Sequence, residues 1–107
     1  MHKTITVDGK EMEFTANAAT PYRYKQVFKK DMLQILSDPA RAEKEGVEVV
    51  TELAYVMNKQ AEKTNMNSLD YDTFIEWLEG FEPLAFFDCS DEIMSVYADS
   101  KATTSTP

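Results

Sequence analysis

Reactive and metal-ligating side chains are scarce in this chain, which holds one cysteine, Cys89, and one histidine, His2. A lone thiol excludes an internal disulfide and fits a reducing compartment. A cysteine nucleophile would need a partner base, and the one imidazole stands next to Met1, where a mobile terminus is expected. Cys89 also lies between Asp88 and Asp91, and neighbouring negative charge suppresses the thiolate. The three glycines, Gly9, Gly46 and Gly80, are scattered, so no glycine-rich loop can cradle a phosphate. Each reads as a turn or cap residue. These shortages argue against an enzyme and against a cofactor, and no catalytic, cofactor-binding or metal residue is assigned.

Long apolar runs are missing too. No stretch approaches the ~20 residues of a transmembrane helix. The opening MHKTITVDGK lacks the apolar core of a secretion signal. A cytoplasmic protein without a membrane partner is expected. Positive charge is short in one region. Residues 1–63 hold ten basic and ten acidic side chains, whereas residues 64–107 hold nine acids against Lys101 alone, which accounts for the net −8. Nucleic-acid binding needs Lys and Arg to neutralise phosphates, so this balance argues against it. Acidic surface of this kind also keeps a chain soluble without any further role.

What is present suffices for one domain. A chain of 107 residues with 43% apolar side chains can bury a single modest core. In KTITVDGKEMEFT two alternating runs flank Asp8-Gly9, a pair suited to a two-residue hairpin turn. That register sets Ile5 against Met12 and turns Val7 and Phe14 to the same face, with Thr4, Thr6, Glu11 and Glu13 on the other. A hairpin with one apolar face needs helices to cover it.

Thr20-Pro21 announces the first helix, with Thr20 as cap and Pro21 in its first turn. Tyr24, Phe28, Met32, Ile35 and Leu36 follow at helical spacing, and Ser37-Asp38-Pro39 closes the segment. Residues 40–46 read as a charged loop or a frayed lead-in. Val50, Leu53, Ala54, Met57 and Ala61 mark the next helix, Ser68 or Asp70 caps a third, and Gly80 ends it. Ser90-Asp91-Glu92 resembles another cap before Ile93, Val96 and Tyr97. The expected fold is therefore α+β and mainly helical. An N-terminal hairpin over 3–15 precedes about four helices at 21–36, 47–63, 70–79 and 83–98. They form a single domain, 1–99, with a disordered polar tail at 100–107.

Residues 62–73 resemble an EF-hand loop in their second half. The match fails where ligands matter, because Thr73 replaces the bidentate Glu, Met66 offers no side-chain oxygen and Asn67 replaces the glycine. The segment reads better as a capped helix start. Beyond it, YDTFIEWLEGFEPLAFFD (71–88) packs six of the twelve aromatic residues among five acids, without a Lys or Arg. Phe74, Trp77 and Leu78 recur at core spacing. Gly80 and Pro83 then interrupt the helix, and adjacent Phe86 and Phe87 cannot face the same way. One of those two is expected at the surface. Phe81, Leu84, Phe86 and Phe87 are therefore the candidate partner contacts, with Glu79, Glu82 and Asp88 as their polar rim. Six methionines suit adaptable contacts as well as a core.

Three stretches together resemble the tail assembly chaperones of long-tailed, siphovirus-type bacteriophages and of prophages in Gram-positive bacteria. They are KTITVDGKEMEFTANAATPYRYKQVFKKD, ELAYVMNKQAE and FIEWLEGFEPLAFFD, covering most of residues 3–97. The resemblance lies in the order of a hairpin, a Thr-Pro-aromatic helix start, an AYVM-type helix and a W-L-x-x-F helix. It implies a non-enzymatic protein that keeps the helical tape measure protein soluble during tail tube assembly in the bacterial cytoplasm. Such a protein is absent from the mature virion and acts as a homo-oligomer. The resemblance further implies a longer frameshifted product that recruits tail tube protein. Two other readings of the residues stand beside it. One is an acidic, phage-encoded decoy that mimics DNA, and the other is a degenerate EF-hand-like calcium module.

Overall fold

A computed structural model describes the backbone of residues 2–105 and the side chains of residues 2–98. At the N-terminus, Asp8 and Gly9 both take positive φ, 54° and 78°. That pair of left-handed residues joins two twisted strands with the right hand of turn. Strand β1 (His2–Val7) thus pairs antiparallel with β2 (Lys10–Thr15), Ile5 opposite Met12. Ile5, Val7 and Phe14 are buried, while Thr4, Thr6, Glu11 and Glu13 are exposed, as the alternation requires. His2 is held within the sheet, where its ring nitrogens contact Thr15 Oγ1 at 2.8 Å and Glu13 Oε1 at 3.2 Å.

The helix expected over 21–36 is two helices. Helix α1 (Thr20–Phe28) ends at Lys29, whose φ of 59° is left-handed. Asp31 then caps α2 (Met32–Ser37) by accepting from the amides of Leu33 and Gln34. A strong internal cap outcompetes continuation of the periodic stripe. The stripe nevertheless keeps its face, with Tyr24, Phe28, Met32 and Ile35 buried and Leu36 packed against the core. Thr20 does not serve as the cap. Its hydroxyl accepts from the Asn17 amide and donates to Gln60 Oε1, tying the helix start to the next long helix.

That helix, α3 (Pro39–Ala61), begins eight residues before the expected Val47. Asp38 explains the difference. Its carboxylate accepts from the Ala40 and Arg41 amides, Pro39 sits in the first turn, and Arg41 and Glu45 pair at 3.0 Å one turn apart. Gly46, expected in a turn, lies inside this helix. From Val49 to Asn58 every residue except Thr51 is buried, so α3 is surrounded rather than laid on a surface. Strand β2, α1 and α2 cover part of it. The remaining cover comes from α4 (Tyr71–Leu78), α5 (Ala85–Asp88) and α6 (Ser90–Ser105). A short 3-10 turn, Met66–Ser68, precedes α4. The expected helix over 83–98 is divided at Cys89, where φ −112° and ψ 16° leave the helical region. The tail expected to be disordered from residue 100 is instead helical backbone to Ser105, continuous with α6, and residues 106 and 107 lie outside the described residues.

Burial all round brings one acid inside. Glu52 is 1% exposed, and its Oε1 accepts from the Tyr24 hydroxyl at 2.6 Å and pairs with Lys30 Nζ at 3.0 Å. The left-handed turn at Lys29 delivers Lys30 to this site. Burial, then the bond to Glu52 and the charges around it, pushes the Tyr24 phenol far above its ordinary range. Burial alone would lower the Lys30 pKa, but bonds to Glu52 and Glu48 outweigh it and the net shift is upward. Both folded-state values exceed the unfolded ones, so both contributions are complete below about pH 10 and are lost as pH rises further. Thermal melts should therefore fall above about pH 10, and Tyr24→Phe should blunt that fall. Tyr55 and Tyr97, also shifted upward by burial, keep it from vanishing. An alkaline slope unchanged in Tyr24→Phe would contradict the assignment.

Candidate docking groove

The start of α4 is fixed by a capping box. Asp70 accepts from the Thr73 amide at 2.9 Å, and Thr73 Oγ1 accepts from the Asp70 amide at 2.9 Å. The same hydroxyl accepts from Tyr55 at 2.8 Å, so the cap also docks α4 on α3. Thr73 and Asp70 thereby initiate the helix, and Asn65 caps the 3-10 turn. Among the described residues no group of three or more His, Cys, Asp or Glu is placed to hold a metal.

From this start the aromatic stripe runs into the core. Phe74 meets Phe28 edge-on at 4.9 Å and Tyr55 at 5.4 Å. Trp77, half-buried, lies 5.2 Å from Tyr55 and stacks on Phe86 at 5.0 Å. Phe81 closes the group, 5.0 Å from Phe86 and 5.2 Å from Trp77. Offset and edge-to-face contacts of this kind add to the burial of each ring.

The loop after α4 is held by the hairpin turn, through bonds that span 70 and 74 residues of sequence. Lys10 Nζ donates to the Gly80 carbonyl at 2.7 Å and stands 4.8 Å from the Phe81 ring centre, while Asp8 accepts from the Glu82 amide at 3.2 Å. The clamp turns the chain outward just before Leu84. Of the adjacent phenylalanines, Phe86 is 5% exposed and Phe87 57%. The four candidate contacts thus separate. Phe86 belongs to the core, Phe81 is half-buried, and Leu84 and Phe87 stand mostly in solvent.

Leu84 and Phe87 flank a groove of about 320 Å³ whose other walls include Val47 and Thr51 of α3, Leu78 and Phe81. Val47 is itself 45% exposed. On the far side of Leu84 lies a hollow of about 230 Å³ walled by Asp8, Glu82, Asp88 and Glu92. Of the expected rim, Glu82 lines both depressions and Asp88 the second; Glu79 is exposed but lines neither. A third depression of about 210 Å³, with Leu36, Gly46 and Met94 in its walls, meets the groove at Val47. The α3 wall was missed in the sequence because Val47 falls outside the stripe of Val50, Leu53 and Met57. Both Val47 and Thr51 lie within the expected helix over 47–63; what spacing does not show is that the loop after α4 packs beside them.

Cys89 is buried beneath this surface, its thiol donating to the Ala85 carbonyl at 3.3 Å. Burial first, and then Glu92 and Asp88, pushes its pKa up. No helix among the described residues is long and apolar enough to cross a membrane. No family model, curated protein or solved structure matches the chain.

The two phenylalanines give a direct check on which part of the run is core. Phe86→Ala removes a ring packed against Trp77 and Phe81 and should lower folding stability by about 3–5 kcal/mol. Phe87→Ala should stay within about 0.5 kcal/mol of wild type. Denaturant unfolding of both variants measures this, and comparable losses would place Phe87 in the core.

Proposed function

We propose that this protein is a tail assembly chaperone that holds a helical tape measure protein soluble, with the Leu84–Phe87 groove as its client-binding surface. The observation that carries the reading is apolar surface left uncovered beside a completed core. Leu84, Phe87 and Val47 are each more than two-fifths exposed, and all three line one groove. Contiguous apolar surface on a small protein marks an interaction site more often than chance. The groove is walled by the long helix α3 on one side and by a rigidly clamped loop on the other. That is the setting in which an amphipathic helix docks its apolar face. Free of its client, the chaperone would stay in solution through its net charge of −8.

On this reading the protein works in the host cytoplasm during tail tube assembly and leaves before the virion matures. A longer frameshifted product would add the contact with tail tube protein. No catalytic step is involved, and the buried, poorly ionised Cys89 has no part in it.

Co-expression with a tape measure protein tests the proposal. Wild-type chain should raise the soluble fraction of the client. Leu84→Ser and Phe87→Ser should each weaken the complex by on the order of 1–3 kcal/mol, as interface anchors do, while melting like wild type. Full client solubility retained by both variants would overturn the assignment of this surface.

A further inference from the structure

We infer that the groove selects a cationic amphipathic helix, whose basic side chains reach over Leu84 into the acid-walled hollow. This rests on the docking reading above and specifies the chemistry of the partner. Glu82 and Leu84 line both the apolar groove and the hollow beside it, so the two adjoin along a ridge that these residues share. The hollow gathers carboxylates from four parts of the chain: Asp8 at the hairpin turn, Glu82 in the loop after α4, Asp88 on α5 and Glu92 on α6. Asp8 is engaged with the Glu82 amide, but Glu82, Asp88 and Glu92 make no ion pair among the described residues. Neither the groove nor the hollow has a Lys or Arg in its wall. Lys10, at the Phe81 edge, donates to the Gly80 carbonyl and lines neither depression.

A helix lying in the groove is about 10 Å across. Residues flanking its apolar stripe would therefore overhang the ridge formed by Leu84. Lys and Arg suit that position, because their apolar stems cover Leu84 while their charged ends enter the acidic side. Unpaired carboxylates beside an apolar groove favour basic partners and penalise acidic ones. Attraction of this type is exposed and therefore weakened by salt.

Two synthetic peptides test the inference on the full chain. They share one apolar helix face, flanked by lysines in one and by glutamates in the other. Trp77, the single tryptophan, is half-buried against Phe81 and Phe86 and reports binding by fluorescence. The lysine peptide should bind at least about tenfold more tightly at low salt, and the gap should close in about 1 M salt. Glu82→Lys combined with Asp88→Lys should reverse the preference, and Leu84→Ser should weaken both peptides. Circular dichroism melts confirm that these exposed-site variants fold.

Equal affinity for the two peptides, with Leu84→Ser still weakening each, would overturn charge selection and leave apolar docking standing. Indifference of both peptides to Leu84→Ser, or no binding of either, would overturn the groove itself. Dimerisation of the free chain that Phe87→Ser abolishes in sedimentation would show that a second copy occupies the groove, and the inference would fail.

Discussion

Because α3 is buried on nearly every side between Val49 and Asn58, no other single element can complete the core, and each must wrap around it. The hairpin lays Ile5, Val7 and Phe14 into one flank, α1 and α2 bring Tyr24, Phe28, Met32 and Ile35, and the C-terminal helices add Phe74, Phe86, Ile93 and Val96. A helix so enclosed has no face left for a stray charge, yet it carries Glu52. Tyr24 from within α1 and Lys30 from the α1–α2 bend resolve the conflict by satisfying that carboxylate. A buried carboxylate stripped of its partners is strongly destabilising, so the bend at Lys29 and the burial of α3 stand or fall together.

The same wrapping explains why apolar surface is left over. Trp77 stacks on Phe86, Phe81 meets both rings at an angle, and a short helix of one turn cannot turn Phe87 inward as well. The hairpin turn then fixes the exposed loop through Lys10 and Asp8 instead of covering it. A clamped, exposed, apolar edge is better suited to binding than a mobile one, because less ordering entropy is lost when a partner arrives. The acids around it keep that edge from becoming a site of aggregation.

Most of the architecture was legible where local chemistry is strong. Asp8-Gly9 specified the turn and register of the hairpin, and Asp70, one of two caps read for the third helix, begins α4. The opposed environments of Phe86 and Phe87 followed from helical geometry alone. What escaped were competing caps. Asp31 and Asp38 each begin a helix that the apolar periodicity does not announce, and the left-handed Lys29 carries no glycine to mark it. Of the groove, the half contributed by residues 81–87 could be read from the interruption at Gly80 and Pro83. The half contributed by Val47 and Thr51, and the clamp from Lys10, depend on contacts between distant segments that spacing along the chain does not encode.

The proposed docking surface lies between α3 and the loop after α4. Chemical-shift mapping of the isotopically labelled chain, titrated with a soluble helical segment of a tape measure protein, reads it most directly. The Val47 and Leu84 methyls, the Phe87 ring and the Trp77 indole should shift together, while Tyr22 on α1 and Leu33 on α2 stay in place. Shifts centred on Tyr22 and Leu33, with Leu84 and Phe87 unmoved, would contradict it.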